Sequence, residues 1–276
     1  MFSTYRYDTS AEVFKIIQIT DPHLFKDEHG ELLGINTFQS FSQVLHEIKA
    51  SRFDYDLVLA TGDLVQDSSR EGYLHFCEQV KSLEKTVFWI PGNHDFQPKM
   101  FEILNQDQGN LNPKKHILLG KSWQILMLDS QVFGVPHGEL SQYQIDWLVA
   151  KLKDHPERYT LIVLHHHILP THSTWLDQHN LRNAHELAYA LAPFDKVKGI
   201  LHGHIHQEMD ANWQGYRVMA TPATCIQFKP DHNTFTLDSV QPGWRELELY
   251  SDGRIETRVK RIQDKTFFPN MHEDGY

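Results

Sequence analysis

Residues 13–23 read VFKIIQITDPH, an apolar run that ends directly in Asp21, Pro22 and His23. The run has the length of a strand, and its nearly unbroken apolar character predicts a strand that is covered on both faces. Residues i and i+2 of an extended segment point to the same side. We therefore expect Asp21 and His23 to converge on one cation at the carboxyl end of this strand.

The same arrangement, a short apolar run followed at once by Asp, Asn or His, recurs along the chain. The further examples are Gly62-Asp63, Gly92-Asn93-His94-Asp95, His165-His166-His167 and Gly203-His204-Ile205-His206. In open α/β sheets, ligands bind at the carboxyl edge of the strands. Each motif alone is compatible with ordinary turn chemistry, because Asp and Asn favour turns. All of them in succession predict one shared site.

The residue types indicate that this site holds divalent metal. Carboxylate and imidazole ligands suit Mn, Fe, Co and Zn, whereas Cys77 and Cys225 form no pattern for a thiolate site or a disulfide framework. Glycine at positions 62, 92 and 203 permits close backbone approach just before a polar side chain.

Apolar runs of strand length alternate with helical patterns over the first 220 residues. The runs cover residues 13–20, 56–60, 86–90, 123–128, 159–164, 198–201 and 216–220. Residues 38, 41, 44, 45 and 48 give one apolar helical face, and Ser141 and Asn183 are candidate N-caps. This alternation predicts an α/β architecture of packed layers. Residues 244–262 predict a β-hairpin, and we expect residues 1–276 to form a single domain.

The charge balance argues against a nucleic acid polymer as partner. The formal net charge is −10, with 26 basic and 36 acidic residues, and nucleic-acid-binding proteins usually carry a basic patch. The densest basic stretch, residues 254–265, alternates with apolar residues and is typical of a solvated strand face. No apolar run approaches the roughly 20 residues that cross a membrane. The first residues lack the pattern of a secretory signal, so we expect a cytoplasmic location.

The ordered motifs D-x-H, G-D, G-N-H-D, a single His and G-H-x-H, from Asp21 to His206, resemble the calcineurin-like metallophosphoesterase superfamily. The resemblance implies a four-layer αββα sandwich of two mixed sheets. It also implies a centre of two divalent ions, with Fe²⁺ or Mn²⁺ expected and Zn²⁺, Co²⁺ or Mg²⁺ as further options. It assigns to the first ion Asp21, His23, Asp63 and His206, and to the second Asp63, Asn93, His165 and His204. In such centres a hydroxide that bridges the ions attacks phosphorus.

Further segments are similar to the bacterial class III 3′,5′-cyclic AMP phosphodiesterases of this superfamily, namely residues 129–134, 138–140, 175–179, 228–230 and 242–245. This similarity implies hydrolysis of 3′,5′-cyclic AMP to 5′-AMP. Other small phosphodiesters, nucleoside-diphosphate sugars and phosphomonoesters stay open as substrates, because the metal motifs are shared. A metal-free scaffold is the non-enzymatic alternative. The acidic charge balance disfavours a nuclease.

The resemblance also implies roles for single residues. The substrate is expected to contact His23, Asp63, Asn93, His94 and His206. His94 is the candidate for protonation of the leaving group, with Asp95 as a possible partner of its ring. Among residues 165–167 the family pattern favours His165 as the ligand and leaves His166 and His167 to support or packing. Residues 172–182 form either a lid or base-binding wall, or a surface loop. The oligomeric state stays open.

Overall fold

The computed structural model describes residues 4–263, 265–273 and 275, which form two large sheets with helices on the outer faces. The α-helices are α1 (Thr37–Ala50), α2 (Arg70–Lys81), α3 (Gln97–Leu104), α4 (Gln142–Asp154) and α5 (Ala184–Leu191), and a 3₁₀ helix spans Leu176–His179. The strands are β1 (Thr4–Tyr7), β2 (Val13–Ile19), β3 (Glu31–Leu32), β4 (Ile35–Asn36), β5 (Leu57–Ala60), β6 (Thr86–Trp89), β7 (Leu111–Asn112), β8 (His116–Leu119), β9 (Trp123–Met127), β10 (Tyr159–Val163), β11 (Val197–His202), β12 (Met209–Trp213), β13 (Tyr216–Ala220), β14 (Gln227–Phe228), β15 (Leu237–Asp238), β16 (Gly243–Tyr250) and β17 (Ile255–Arg261).

Both large sheets mix parallel and antiparallel strands. The six-stranded sheet has the order β17-β16-β2-β5-β6-β7. In this sheet β2, β5, β6 and β7 run parallel to one another. β16 is antiparallel to both of its neighbours, β2 and β17. The seven-stranded sheet has the order β1-β8-β9-β10-β11-β13-β12, with β9, β10, β11 and β13 parallel. All seven strands expected from apolar runs are present, so the α/β prediction is confirmed.

The helices begin where local sequence favours them. The side chain of Asn36 accepts a hydrogen bond from Gln39 N at the start of α1, and Ser141 does the same with Gln144 N at the start of α4. Asn183 begins α5 without a side-chain cap bond to the helix; its amide instead joins Leu140 N and O.

Three apolar clusters define four layers. The helices α1, α2 and α3 cover the outer face of the six-stranded sheet, and α4 and α5 cover the outer face of the seven-stranded sheet. A third cluster lies between the sheets and contains Ile16, Leu59 and Phe88 from one sheet and Leu161 and Leu201 from the other. The arrangement is the predicted αββα sandwich. Because this inner cluster joins both sheets, we propose that the chain folds as one domain.

Candidate metal centre

All the strand-end motifs meet at one edge of the sandwich. β2, β5 and β6 pair in parallel with Ile19, Ala60 and Trp89 as neighbours, so the loops that follow start side by side. Backbone hydrogen bonds continue beyond the strands, from Asp21 N to Gly62 O (3.1 Å) and from His23 N to Asp63 O (3.0 Å). The same edge receives the loops after β10 and β11, whose ligand atoms approach those of the first three loops.

Six of the predicted ligands, together with His94 and His166, fall in overlapping groups, and the ligand atoms of each group lie within 4.8 Å of one another. The groups are Asp21, His23 and His206; Asp21, Asp63 and His165; His23, Asp63 and His94; and His165, His166 and His204. Asn93 completes the set, because its Oδ1 lies 3.2 Å from His165 Nε2. The ligand candidate Asn93 and the proposed proton donor His94 are partly exposed, whereas the other predicted ligands are buried.

Two imidazole rings point lone pairs at each other. His206 Nδ1 lies 3.0 Å from Ile226 O, and His23 Nδ1 lies 2.6 Å from Gln66 Oε1. Oxygen acceptors at these distances require Nδ1 to carry a proton, so in the neutral form of each ring Nε2 holds a lone pair. The two Nε2 atoms are only 3.2 Å apart. A cation that both nitrogens bind removes this repulsion.

His165 also has an oxygen acceptor on Nδ1. Its Nδ1 lies 2.8 Å from Thr61 O and therefore carries the proton. Its Nε2 faces two oxygens, Asp63 Oδ2 at 3.3 Å and Asn93 Oδ1 at 3.2 Å. In metal sites, an acceptor on the second ring nitrogen fixes the tautomer and raises the basicity of the ligating nitrogen.

The electrostatics of the centre favour positive charge. Burial alone lowers the pKa of His165, but the charges of Asp63 and Asp21 and a hydrogen bond to Asp63 outweigh it and raise this pKa to about 9. The pKa of Asp63 lies well below 3.8, since the neighbouring imidazoles His165 and His94 outweigh its burial. The raised pKa of His165 shows that the carboxylates of Asp63 and Asp21 favour positive charge beside them, and the lowered pKa of Asp63 shows that this carboxyl group stays ionised.

The backbone turns sharply at the ligands. Positive φ angles occur at Asp21 (52°), His23 (47°), Asp63 (49°), His204 (69°) and His206 (50°). This corrects the expectation that extended alternation would bring Asp21 and His23 together: the convergence comes from left-handed turns. Such conformations cost about 1–3 kcal/mol each for residues other than glycine and cluster at functional sites.

Gly62 and Gly92 lie where the backbone comes too close to a candidate ligand for a side chain to fit. A Cβ atom on Gly92 would lie 2.2 Å from Asp63 Oδ1 and 2.4 Å from Asp63 N. A Cβ atom on Gly62, where φ is 103°, would lie 2.4 Å from His165 Nδ1. A side chain at either position would displace a candidate ligand.

The carboxylate of Asp95 supports the backbone of two ligand loops. It accepts hydrogen bonds from Leu64 N, Val65 N and Gly92 N and from the hydroxyl of Tyr73. These bonds hold the loop after β6 against the loop after β5, a role that the sequence did not indicate. His94 N donates to Asp63 Oδ1 at 2.8 Å, which links the next residue of the same loop to the centre.

The other histidines of the 165–167 run lie against the centre. His166 Nδ1 is 2.8 Å from Ser130 Oγ, and its buried Nε2 lies in the group with His165 and His204. The ring of His167 stacks on that of His204, with centroids 5.5 Å apart and planes at 18°. Gln66 and the carbonyls of Thr61 and Ile226 were not predicted, because no local pattern marks an acceptor that only the fold brings to a ring.

The calcineurin-like phosphoesterase family model matches residues 14–208, which include every strand-end motif. The chain belongs to the calcineurin-like phosphoesterase family. The predicted resemblance is thereby confirmed, and membership in this family implies a divalent metal centre.

This calcineurin-like phosphoesterase has similar bacterial relatives. It is 65% identical over 276 residues to the 3′,5′-cyclic adenosine monophosphate phosphodiesterase CpdA of Haemophilus influenzae, with 100% of both chains covered. It is 54% identical over 262 residues to the protein of the same name from Escherichia coli, covering 95% of this chain and 94% of the relative. Among solved structures it resembles a dimetal phosphatase from Danio rerio, with a TM-score of 0.62, 15% identity and coverage of 92% and 100%. That likeness shows a common fold.

The residues of this calcineurin-like phosphoesterase fit the metals that the family implies. Asp21 Oδ1 and His204 Nε2 are buried, and neither has a hydrogen-bond partner within the described part of the chain. Buried polar atoms without partners are costly, and coordination to an ion would satisfy both. The donor set of carboxylates, imidazoles and one amide oxygen suits divalent first-row metals.

Proposed function

We propose that this chain hydrolyses 3′,5′-cyclic AMP to 5′-AMP with two divalent metal ions as cofactor. The observation that carries the proposal is the buried centre in which imidazole Nε2 atoms and carboxylate oxygens face one another. The choice of substrate is supported by the relatives named 3′,5′-cyclic adenosine monophosphate phosphodiesterase, which align over 95% or more of this chain.

The proposed ligands divide into two sets that share Asp63. The first ion is held by Asp21, His23, Asp63 and His206, and the second by Asp63, Asn93, His165 and His204. Support for the first set is the grouping of Asp21, His23 and His206, with His23 Nε2 3.8 Å from Asp63 Oδ2. The second set is supported by the contacts of His165 with Asp63 and Asn93 and by the grouping of His165 with His204.

Charge balance suits a phosphodiester. The two carboxylates of Asp21 and Asp63 supply two negative charges, whereas two divalent ions carry four positive ones. A substrate with one negative charge reduces the excess of positive charge at the centre. The formal charge of −10 on the whole chain therefore does not prevent an anion from binding there. When bound, the ions polarise phosphoryl oxygens and lower the pKa of water.

The residues of the chain then have separate tasks. His23, Asp63 and His206 lie buried below the cleft, and Asn93 and His94 line it. As the oxygen of water joins phosphorus and a proton of that water passes to solvent, the bond from phosphorus to the 3′-oxygen breaks, and a protonated His94 donates its proton to that oxygen. The ring of His94 packs edge-on against His23, with centroids 4.9 Å apart, which holds it beside the centre.

The remaining expectations belong to the same proposal. Fe²⁺ or Mn²⁺ are the proposed ions, with Zn²⁺, Co²⁺ or Mg²⁺ as alternatives, and the cytoplasm is the proposed compartment. A small cyclic nucleotide rather than a nucleic acid polymer is the proposed partner. No helix in the described ranges has the length and apolar character needed to cross a membrane.

A substrate panel tests the proposal. Purified protein loaded with Mn²⁺ or Fe²⁺ is assayed on 3′,5′-cyclic AMP, 3′,5′-cyclic GMP, 2′,3′-cyclic AMP, 5′-AMP and methyl p-nitrophenyl phosphate, with and without a chelator. We expect 3′,5′-cyclic AMP to be preferred and converted to 5′-AMP, and the chelator to abolish turnover. Activity on the synthetic diester alone would contradict the substrate, and activity that resists chelation would contradict the metals.

A further inference from the structure

An open cleft of about 460 Å³ lies beside the metal centre and has two chemically different parts. Asn93, His94 and His204 line it on the side of the metal ligands. Trp175, Phe228 and Phe235 line the other part. No Lys, Arg, Asp or Glu belongs to the described lining of this cleft. Its volume lies within the range of about 300–1,000 Å³ that is usual for small-molecule sites.

The three aromatic side chains form a compact cluster with edge-to-face contacts. The ring centroids of Trp175 and Phe228 are 5.0 Å apart at 89°, and those of Trp175 and Phe235 are 5.1 Å apart at 66°. Phe228 and Phe235 complete the triangle at 5.6 Å. Trp175 directly precedes the 3₁₀ helix, whereas Phe228 ends β14 and Phe235 lies in the loop before β15. Trp175 and Phe235 remain half-buried, so part of each ring is accessible.

We infer that this aromatic cluster is the subsite in which the nucleobase of the substrate stacks. The inference rests on the proposed function and deepens it. A neutral base has a large π-face, which suits an uncharged aromatic lining, while the phosphodiester occupies the metal side of the same cleft. Stacking of a base on aromatic side chains contributes binding free energy without needing hydrogen bonds to the base.

The structure also distinguishes the members of the cluster. Phe228 stacks on the metal-ligand candidate His206, with centroids 4.4 Å apart and planes at 16°, so its replacement would disturb both parts of the cleft. Phe235 contacts Trp175 and Phe228, and its side chain offers no ligand atom to a metal ion. Phe235 is therefore the position that separates base binding from metal binding.

The test compares Phe235→Leu with the wild type in the full-length, Mn²⁺-loaded protein. Tyr189→Leu is the matched control, because Tyr189 is 86% exposed on α5. The substrates are 3′,5′-cyclic AMP and a synthetic diester without an aromatic ring, the 3′,5′-cyclic phosphate of methyl riboside. We expect Phe235→Leu to raise KM for cyclic AMP about tenfold with little change in kcat. Its kcat/KM for the synthetic diester and its metal content should match those of the wild type, and Phe235→Trp should restore KM.

Two results would overturn the inference. An equal loss on both substrates would make Phe235 a support of the metal centre, and an unchanged KM for cyclic AMP would exclude stacking at this position. If Phe235→Leu does not fold, Trp175→Leu is measured in the same way with the same expectations.

Failure of the proposed function gives a different result. A wild type that hydrolyses the synthetic diester but not cyclic AMP contradicts that function. The subsite is then tested by competition, with 5′-AMP as inhibitor of diester hydrolysis. Inhibition that Phe235→Leu weakens about tenfold supports the base subsite, and equal inhibition of both proteins overturns it.

Discussion

His23 and His206 face each other with their Nε2 atoms 3.2 Å apart, and neither nitrogen has a proton to share when the ring is neutral. The reason lies on the far side of each ring, where Nδ1 is committed to Gln66 Oε1 or Ile226 O. The two residues are 183 positions apart in the chain. The fold therefore concentrates repulsion at a point that a cation relieves, which links metal binding to stability.

Removal of metal should lower thermal stability. A ligand that binds only the native state stabilises it by about 2.7 kcal/mol at a concentration 100 times its Kd. We expect a chelator to lower the Tm of the wild type by several degrees and to have much less effect on His206→Ala. Thermal unfolding with and without chelator measures this, and His185→Ala, at an exposed histidine, serves as control. A wild-type Tm that does not respond to chelation would contradict the prediction.

Asp63→Asn should remove metal from both positions. Asp63 Oδ2 lies 3.3 Å from His165 Nε2 and 3.8 Å from His23 Nε2, between candidate ligands of both ions. An amide keeps the size of the side chain but removes the negative charge. We expect elemental analysis to show metal content well below that of the wild type and activity to fall by at least about 10–100-fold. Asp67→Asn, on the same loop, is the control. Full metal content in Asp63→Asn would exclude a shared ligand.

His94→Ala should lower turnover without removing metal. A positioned general acid contributes about 10²–10⁴-fold to rate, and His94 lies at the partly exposed edge of the centre. We expect kcat for 3′,5′-cyclic AMP to fall within that range while elemental analysis matches the wild type. The loss should be smaller for methyl p-nitrophenyl phosphate, whose leaving group needs less protonation. Loss of metal in this variant would instead identify His94 as a ligand.

Gln66→Leu should weaken metal binding through His23. Gln66 Oε1 is 2.6 Å from His23 Nδ1, and its removal frees the ring to turn and to change tautomer. Loss of such an outer partner typically costs about 10–100-fold in metal affinity. A titration of metal-free protein with Mn²⁺ measures the change. Gln66→Glu keeps an acceptor and should bind metal more tightly than Gln66→Leu; equal affinities for the two variants would argue against this role.

Lys115 should make stability depend on pH. Burial lowers the pKa of Lys115 to about 7, although Asp129 opposes the shift, and its Nζ lies 3.6 Å from the centroid of the Trp89 ring. Below about pH 7 both states carry the proton, and the folded state contains a buried charge. Between that value and the usual 10.5 only the unfolded state keeps the proton, so stability rises with pH.

The change in the free energy of unfolding depends on the range of pH over which it is measured. Between pH 7 and pH 9 the gain from Lys115 is about 2 kcal/mol. Urea unfolding of metal-free protein at both pH values should show a larger gain for the wild type than for Lys115→Met. Lys121→Met, at an exposed lysine, should behave like the wild type. The same gain in all three proteins would contradict the assignment.

Much of the architecture follows from local sequence. The run 13–20 and its counterparts are nearly continuous in apolar character because β2, β5, β6, β10 and β11 are covered on both faces. Edge elements were harder to predict. β1 and β12 have alternating or mixed burial and few large apolar residues, and their positions depend on pairing with β8 and β13.

By itself, the sequence determined which segments reach the centre, because each polar motif stands directly after a buried strand and strand ends align in parallel sheets. The choice of ligands within each motif rested on the family pattern. The tertiary structure decided how those side chains are used. The oxygen that faces Nδ1 of His23 belongs to Gln66, and the one that faces Nδ1 of His165 belongs to Thr61. These acceptors are 43 and 104 residues away along the chain. Left-handed turns at Asp21 and at the other ligands with positive φ angles orient the ligand side chains toward the centre. Hydrogen bonds between loops hold these turns. Such bonds depend on distances in space, which local sequence patterns do not encode.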